Sequence, residues 1–97
     1  MNQEWIAKVE EEFAKRPSDR TFVTLRELSY ELGLMTFYLN NQDTVLEILK
    51  PYVFFRISAN KIRPLVNYDG FKLFHKFALE YEKNSNELTE KFLKKKN

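Results

Sequence analysis

Residues 24–42 read TLRELSYELGLMTFYLNNQ, and the fold turns on how this stretch is read. Thr24 followed by Glu27 is the pattern of a capping box, in which each side chain can satisfy the other's free backbone N–H. Leu25, Leu28 and Leu32 then recur at helical spacing, so one face of a short helix is apolar. Gly33 comes next, where a helix ends cheaply on a left-handed residue. Leu34 and Leu39 restart the apolar pattern, which predicts a second helix after a tight turn.

Toward the C-terminus, residues 34–50 allow two readings. One is a single helix of about four turns. The other is a short helix near 36–41 followed by another from Thr44, where Thr44 and Glu47 form a second capping box. Pro51 ends the segment either way. Residues 52–66, YVFFRISANKIRPLV, then read as a β-hairpin. A two-residue turn at Ala59 and Asn60 sets Ile57 against Ile62, Phe55 against Pro64 and Val53 against Val66 on one face. Arg56 meets Arg63 and Ser58 meets Lys61 on the other face. One register therefore sorts the aliphatic side chains from most of the charges. Ala-Asn is not a favoured turn pair, so a longer loop is the alternative. Pro64 cannot donate to a ladder, which places its strand at an edge.

Toward the N-terminus, residues 2–16 read as an amphipathic helix with Trp5, Ile6, Val9 and Phe13 on one stripe. Glu11 and Lys15 are spaced as a favourable i,i+4 pair, and Pro17 stops the helix. Residues 18–20 form a polar connection, and Thr21, Phe22 and Val23 are β-prone enough for a very short strand. Residues 67–70 read as a turn. A last helix runs from Phe71 at least to Lys83, and its apolar stripe continues past Tyr81 to Leu88 and Phe92.

The motif of Leu28, the small Ser29, Leu32, Gly33, Leu34 and Leu39, with the strand pair behind it, resembles the winged helix-turn-helix family. The resemblance implies an α+β, mainly α fold: helix, short strand, helix, helix, hairpin wing and long C-terminal helix. It implies that Leu28 and Ser29 pack under the second helix, that Leu39 pins that helix to the core, and that the short strand joins the hairpin. Gln42 departs from the family pattern, which usually has an aliphatic residue there.

Ninety-seven residues suffice for one domain over 1–97. With Phe frequent and charges mixed, a core rich in aromatic rings is expected. The absence of cysteine excludes disulfides and cysteine-based metal sites and points to the cytoplasm. The acidic, amphipathic first residues argue against a targeting peptide. No apolar run approaches the roughly 20 residues of a membrane span.

No catalytic constellation is visible. His75 is the single histidine and stands between Lys72 and Lys76. Glu10, Glu11 and Glu12 are a solvated helix face, and Gly33 with Gly70 makes no phosphate loop. No enzyme activity, metal or cofactor is expected. Basic charge gathers on residues 50–66, where Lys50, Arg56, Lys61 and Arg63 stand without an acid, and on the tail ending in Lys94, Lys95 and Lys96. It suits nucleic acid or an ordinary solvated surface.

The resemblance implies a duplex-DNA-binding regulator of transcription or replication. Thr36, Tyr38, Asn40, Asn41 and Gln42 would read the major groove. Arg26, Arg56, Lys61 and Arg63 would hold the backbone. Two Arg directly opposed on a hairpin repel one another, which a phosphate between them would relieve; two long side chains splaying into solvent are the alternative. Residues 1–16 and 71–96 would flank the domain as helices pairing two copies, with Trp5, Phe13, Phe77, Tyr81, Leu88 and Phe92 at a homodimer interface.

The rival class is a protein-interaction module, such as an accessory or inhibitor in a mobile element acting on a host protein. Three features favour it: low net charge, a segment MTFYLNNQD without Lys or Arg, and Phe37, Tyr38 and Phe54 as exposed aromatic anchors. Single-strand nucleic-acid binding through those aromatics is the third reading.

Overall fold

A computed structural model describes residues 1–16 and 21–83. The architecture is α+β and mainly helical, with one small antiparallel sheet. The first helix, α1, spans Gln3–Lys15, and the Asn2 side chain caps it by accepting from the Trp5 amide at 3.1 Å. Ile6 and Phe13 are buried, and Trp5 and Val9 pack partly buried beside them. An i,i+4 ion pair forms on its exposed side between Glu12 and Arg16 at 3.6 Å, and not between Glu11 and Lys15. Arg16 leaves in an extended conformation, as the proline after it demands. The connection expected at 18–20 lies outside the described residues.

Strand β1 is Val23–Thr24, and helix α2 follows directly as Leu25–Glu31. The capping box is half formed. Thr24 Oγ1 accepts from the Glu27 amide at 3.1 Å, but the Glu27 carboxylate turns to accept from Trp5 Nε1 at 3.2 Å. What was expected as a local cap thus becomes a tie between α2 and α1. A second tie runs from the Asn2 amide to the Glu31 carbonyl at 2.8 Å. Gly33 ends the helix in the left-handed region at φ 76°. The Leu34 amide donates to Ser29 O at 2.7 Å and the Gly33 amide to Tyr30 O at 3.1 Å, the paired bonds of a Schellman motif.

The next stretch is split, as the second of the two readings had it, but the break falls earlier. Helix α3 is Met35–Asn40 and α4 is Gln42–Ile48. Asn41 stands between them and donates from Nδ2 to the Phe37 carbonyl at 2.8 Å. Thr44 lies inside α4, so it caps nothing. A 3-10 turn at Lys50–Tyr52, carrying Pro51, leads into the hairpin.

Strands β2, Val53–Ser58, and β3, Lys61–Val66, pair in the register read from the sequence, from Val53 against Val66 to Ser58 against Lys61. The two-residue turn is real. Ala59 and Asn60 both have positive φ, 49° and 62°, as a type I′ hairpin turn requires. β1 pairs with β3 through Val23–Val66 and Thr24–Leu65, giving the order β1-β3-β2. Pro64 is therefore on the central strand, past the point where β1 stops.

Helix α5, Tyr68–Lys83, begins three residues before Phe71, so residues 68–70 are its first turn rather than a loop. Asn67 Oδ1 accepts from the Gly70 amide at 3.0 Å. A Cβ on Gly70 would meet Cβ of Tyr52 at 2.9 Å and of Val66 at 3.0 Å, so the helix docks on the sheet at a point only glycine allows.

The core is built on α5. Phe71 and Phe74 are fully buried with Leu25, Leu28, Leu34, Val45, Leu49 and Val66. Phe13 of α1 packs its ring 5.6 Å from Phe71, and Phe37 of α3 lies 5.3 Å from Phe77. Three expectations are corrected here. Phe13 and Phe77, each 5% exposed, belong to the chain's own core and leave almost no surface for a second copy. Trp5 and Tyr81 are partly buried against that core, and Leu88 and Phe92 lie outside the described residues. Leu39, expected to pin α3, is 47% exposed, while Phe37 and Tyr38 go inside in its place. The reading of Phe37 and Tyr38 as exposed anchors fails for the same reason.

Candidate functional site

The hairpin carries its apolar face outward from the body. Val66 at its base is fully buried, but on the same face Ile62 is 67% and Ile57 76% exposed. The period of two that sets the register also fixes which side chains share a face, and here the outer half of that face has no cover.

Between the hairpin and the α2–α3 pair lies a groove of about 890 Å³. Arg26, Glu27 and Tyr30 of α2 and Met35, Tyr38 and Leu39 of α3 form one wall. Lys61, Ile62, Arg63 and Pro64 form the other, with Thr24 and Gln42 at its ends. Consecutive residues of a strand point to opposite faces. A groove lined by four in a row is therefore bounded by the strand's edge, not by one of its faces.

That edge is open. Ser58 and Lys61 flank the two-residue turn and form a hydrogen-bonded pair, so alternation makes Ile57–Ile62 and Phe55–Pro64 the non-hydrogen-bonded pairs. The N–H and C=O of Ile62 and the C=O of Pro64 then point away from β2, toward the side where β1 runs. The Thr24–Leu65 pairing already engages the Pro64 C=O, with Leu25 opposite it, so the groups left beyond β1 are the N–H and C=O of Ile62. Pro64 costs no ladder bond at this position, because its nitrogen faces away from β2.

Three cations, Arg26, Lys61 and Arg63, surround an apolar lining of Tyr30, Met35, Leu39, Ile62 and Pro64. None of the three is in an ion pair among the described residues. Glu27, the one acid in the lining, is engaged by Trp5. Burial pushes the Tyr38 hydroxyl above its ordinary pKa of 10.0, and the Arg26 charge pulls the other way.

Of the residues expected to contact DNA, the groove collects Arg26, Tyr38, Gln42, Lys61 and Arg63. Tyr38, at 5% exposed, offers little surface. Thr36 and Asn40 are exposed, Asn41 is partly buried at the α3–α4 break, and none of the three lines the groove. Arg56 pairs with Arg63 across the ladder but stands outside the groove. Tyr30, Met35, Ile62 and Pro64 were not singled out for binding. The available signal was the position of Tyr30, off the stripe of Leu25, Leu28 and Leu32.

His75 Nδ1 lies 4.0 Å from Glu10 Oε1, and its ring packs 5.8 Å from that of Phe71. Among the described residues no group of three or more His, Asp or Glu side chains is placed to hold a metal ion. No described helix is long and apolar enough to cross a membrane. No protein family, curated protein or solved structure matches this chain.

Proposed function

We propose that this chain is a winged-helix-like docking module that binds a protein segment in the groove between α2–α3 and the hairpin. The order of elements and the β1-β3-β2 sheet support the winged-helix reading. The character of the groove carries the function: exposed apolar side chains in its lining, with cations around them that form no ion pair among the described residues. Tyr30 and Leu39 are 66% and 47% exposed there. Exposed apolar surface gathered in a concavity and rimmed by charge is the mark of a protein-binding site.

Charge weighs against the nucleic-acid reading. From Leu25 to Ile48, the unit that would enter a major groove, Arg26 stands against Glu27, Glu31, Asp43 and Glu47. Phosphate contacts supply most non-specific affinity for duplex DNA, and a helix pair with this excess of acid works against them. The check is a mobility-shift titration of the full chain against random duplex and single-stranded DNA at low salt. The expected result is no binding tighter than about 10⁻⁵ M. Tight binding with a steep salt slope would overturn the docking reading.

Duplex DNA remains the second reading because Arg26, Lys61 and Arg63 converge beside Gln42. In that case Arg63→Ala lowers the magnitude of the salt slope by about one.

A further inference from the structure

We infer that the occupant of the groove is an extended peptide that adds a strand to the open edge of β3, continuing the line of β1. This rests on the docking reading above and names the partner's chemistry. Three features carry it. The groove faces the edge of β3 over Lys61, Ile62, Arg63 and Pro64. The N–H and C=O of Ile62 point out from that edge beyond the last β1 pair, Thr24–Leu65. The side chains on either side of the edge differ in kind, with Ile62 and Pro64 on one face and Lys61 and Arg63 on the other.

The added strand runs antiparallel to β3, as β1 does. Strand addition draws affinity from main-chain hydrogen bonds and specificity from alternate side chains. The partner residue opposite Ile62 exchanges both backbone bonds with it. Directly opposed residues share a sheet face. The residue opposite Ile62 is therefore apolar. It turns to the side on which Val66 enters the core, since Ile62, Pro64 and Val66 alternate along one face. The residues on either side of it stand opposite Lys61 and Arg63 and are acidic. The partner is a segment in which apolar and acidic residues alternate.

The test uses the full chain and short fluorescein-labelled peptides read by anisotropy. A peptide alternating valine and glutamate should bind, and its valine–lysine counterpart should be at least about tenfold weaker. N-methylation of the valine amides, which face β3, should cost about tenfold, while N-methylation of the glutamate amides should cost little. Lys61→Glu with Arg63→Glu should transfer the preference to the valine–lysine peptide. Both side chains are exposed, and far-UV circular dichroism checks that the fold persists.

Equal binding of the two peptides, or equal tolerance of both methylations, would overturn the inference. So would no binding of either peptide. If an acidic amphipathic helical peptide binds the groove and the alternating one does not, strand addition falls while the docking reading stands. If only duplex DNA binds, the docking reading itself falls.

Discussion

Two single residues set conditions that the rest of the chain obeys. Gly33 holds φ 76° at the turn between α2 and α3. Nothing crowds a Cβ there, since the nearest atom is the Met1 nitrogen at 4.0 Å, so the constraint is conformational rather than steric. Gly33→Ala should lower stability by about 1–2 kcal/mol, read as a shift in urea midpoint at constant slope. Tyr38 is the second. Its raised pKa means that the folded chain keeps a proton the unfolded chain releases above pH 10.0. Stability from this source is complete below pH 10.0 and declines as pH rises through the folded-state value. Urea midpoints measured from pH 9 upward should fall less steeply in Tyr38→Phe than in the parent. An identical decline would show that the hydroxyl ionises as freely in the folded chain as in the unfolded one.

At the scale of elements, the hairpin keeps a turn that is not the best available. Ala59 sits in a left-handed conformation that disfavours residues with a Cβ, whereas Asn-Gly is preferred for type I′. Ala59→Asn combined with Asn60→Gly should raise stability by about 1 kcal/mol without changing the register. Thermal unfolding reads the first, and cross-strand nuclear Overhauser contacts between Ile57 and Ile62 read the second. The register of this hairpin was legible from the sequence because alternation allows one arrangement of its aliphatic residues. Its exposure was not, because period two says which residues share a face and nothing about what covers that face. Helix α3 shows the converse difficulty. Phe37, Tyr38 and Leu39 are adjacent on a helix of six residues, and all three cannot point inward. Phe37 goes inside because Phe77 and Tyr81 of α5 receive its ring at 5.3 and 5.7 Å. No pattern local to α3 contains that information. The groove was half legible for the same reason. Its cations stood out along the chain, and its apolar lining exists only once α3 and β3 face each other.

Taken whole, the molecule divides its labour unevenly. Helices α1, α3 and α5 hold the aromatic core, and α1 and α2 are joined by the ties between Asn2 and Glu31 and between Trp5 and Glu27. The outer hairpin, from Phe55 to Arg63, holds no buried side chain. Regions with few buried contacts open at lower free energy than the core they extend from. Amide hydrogen exchange should therefore be fastest at the hairpin tip and slowest in α2 and α5, with the Ile62 amide slowed when the groove is filled. Trp5 is the only tryptophan, and its indole is committed to the α1–α2 contact. Its fluorescence consequently reports the helical body and is nearly blind to the hairpin. If emission and a hairpin-sensitive probe trace separate denaturation curves, the chain melts in two stages, and the binding edge is lost while the body still glows as folded.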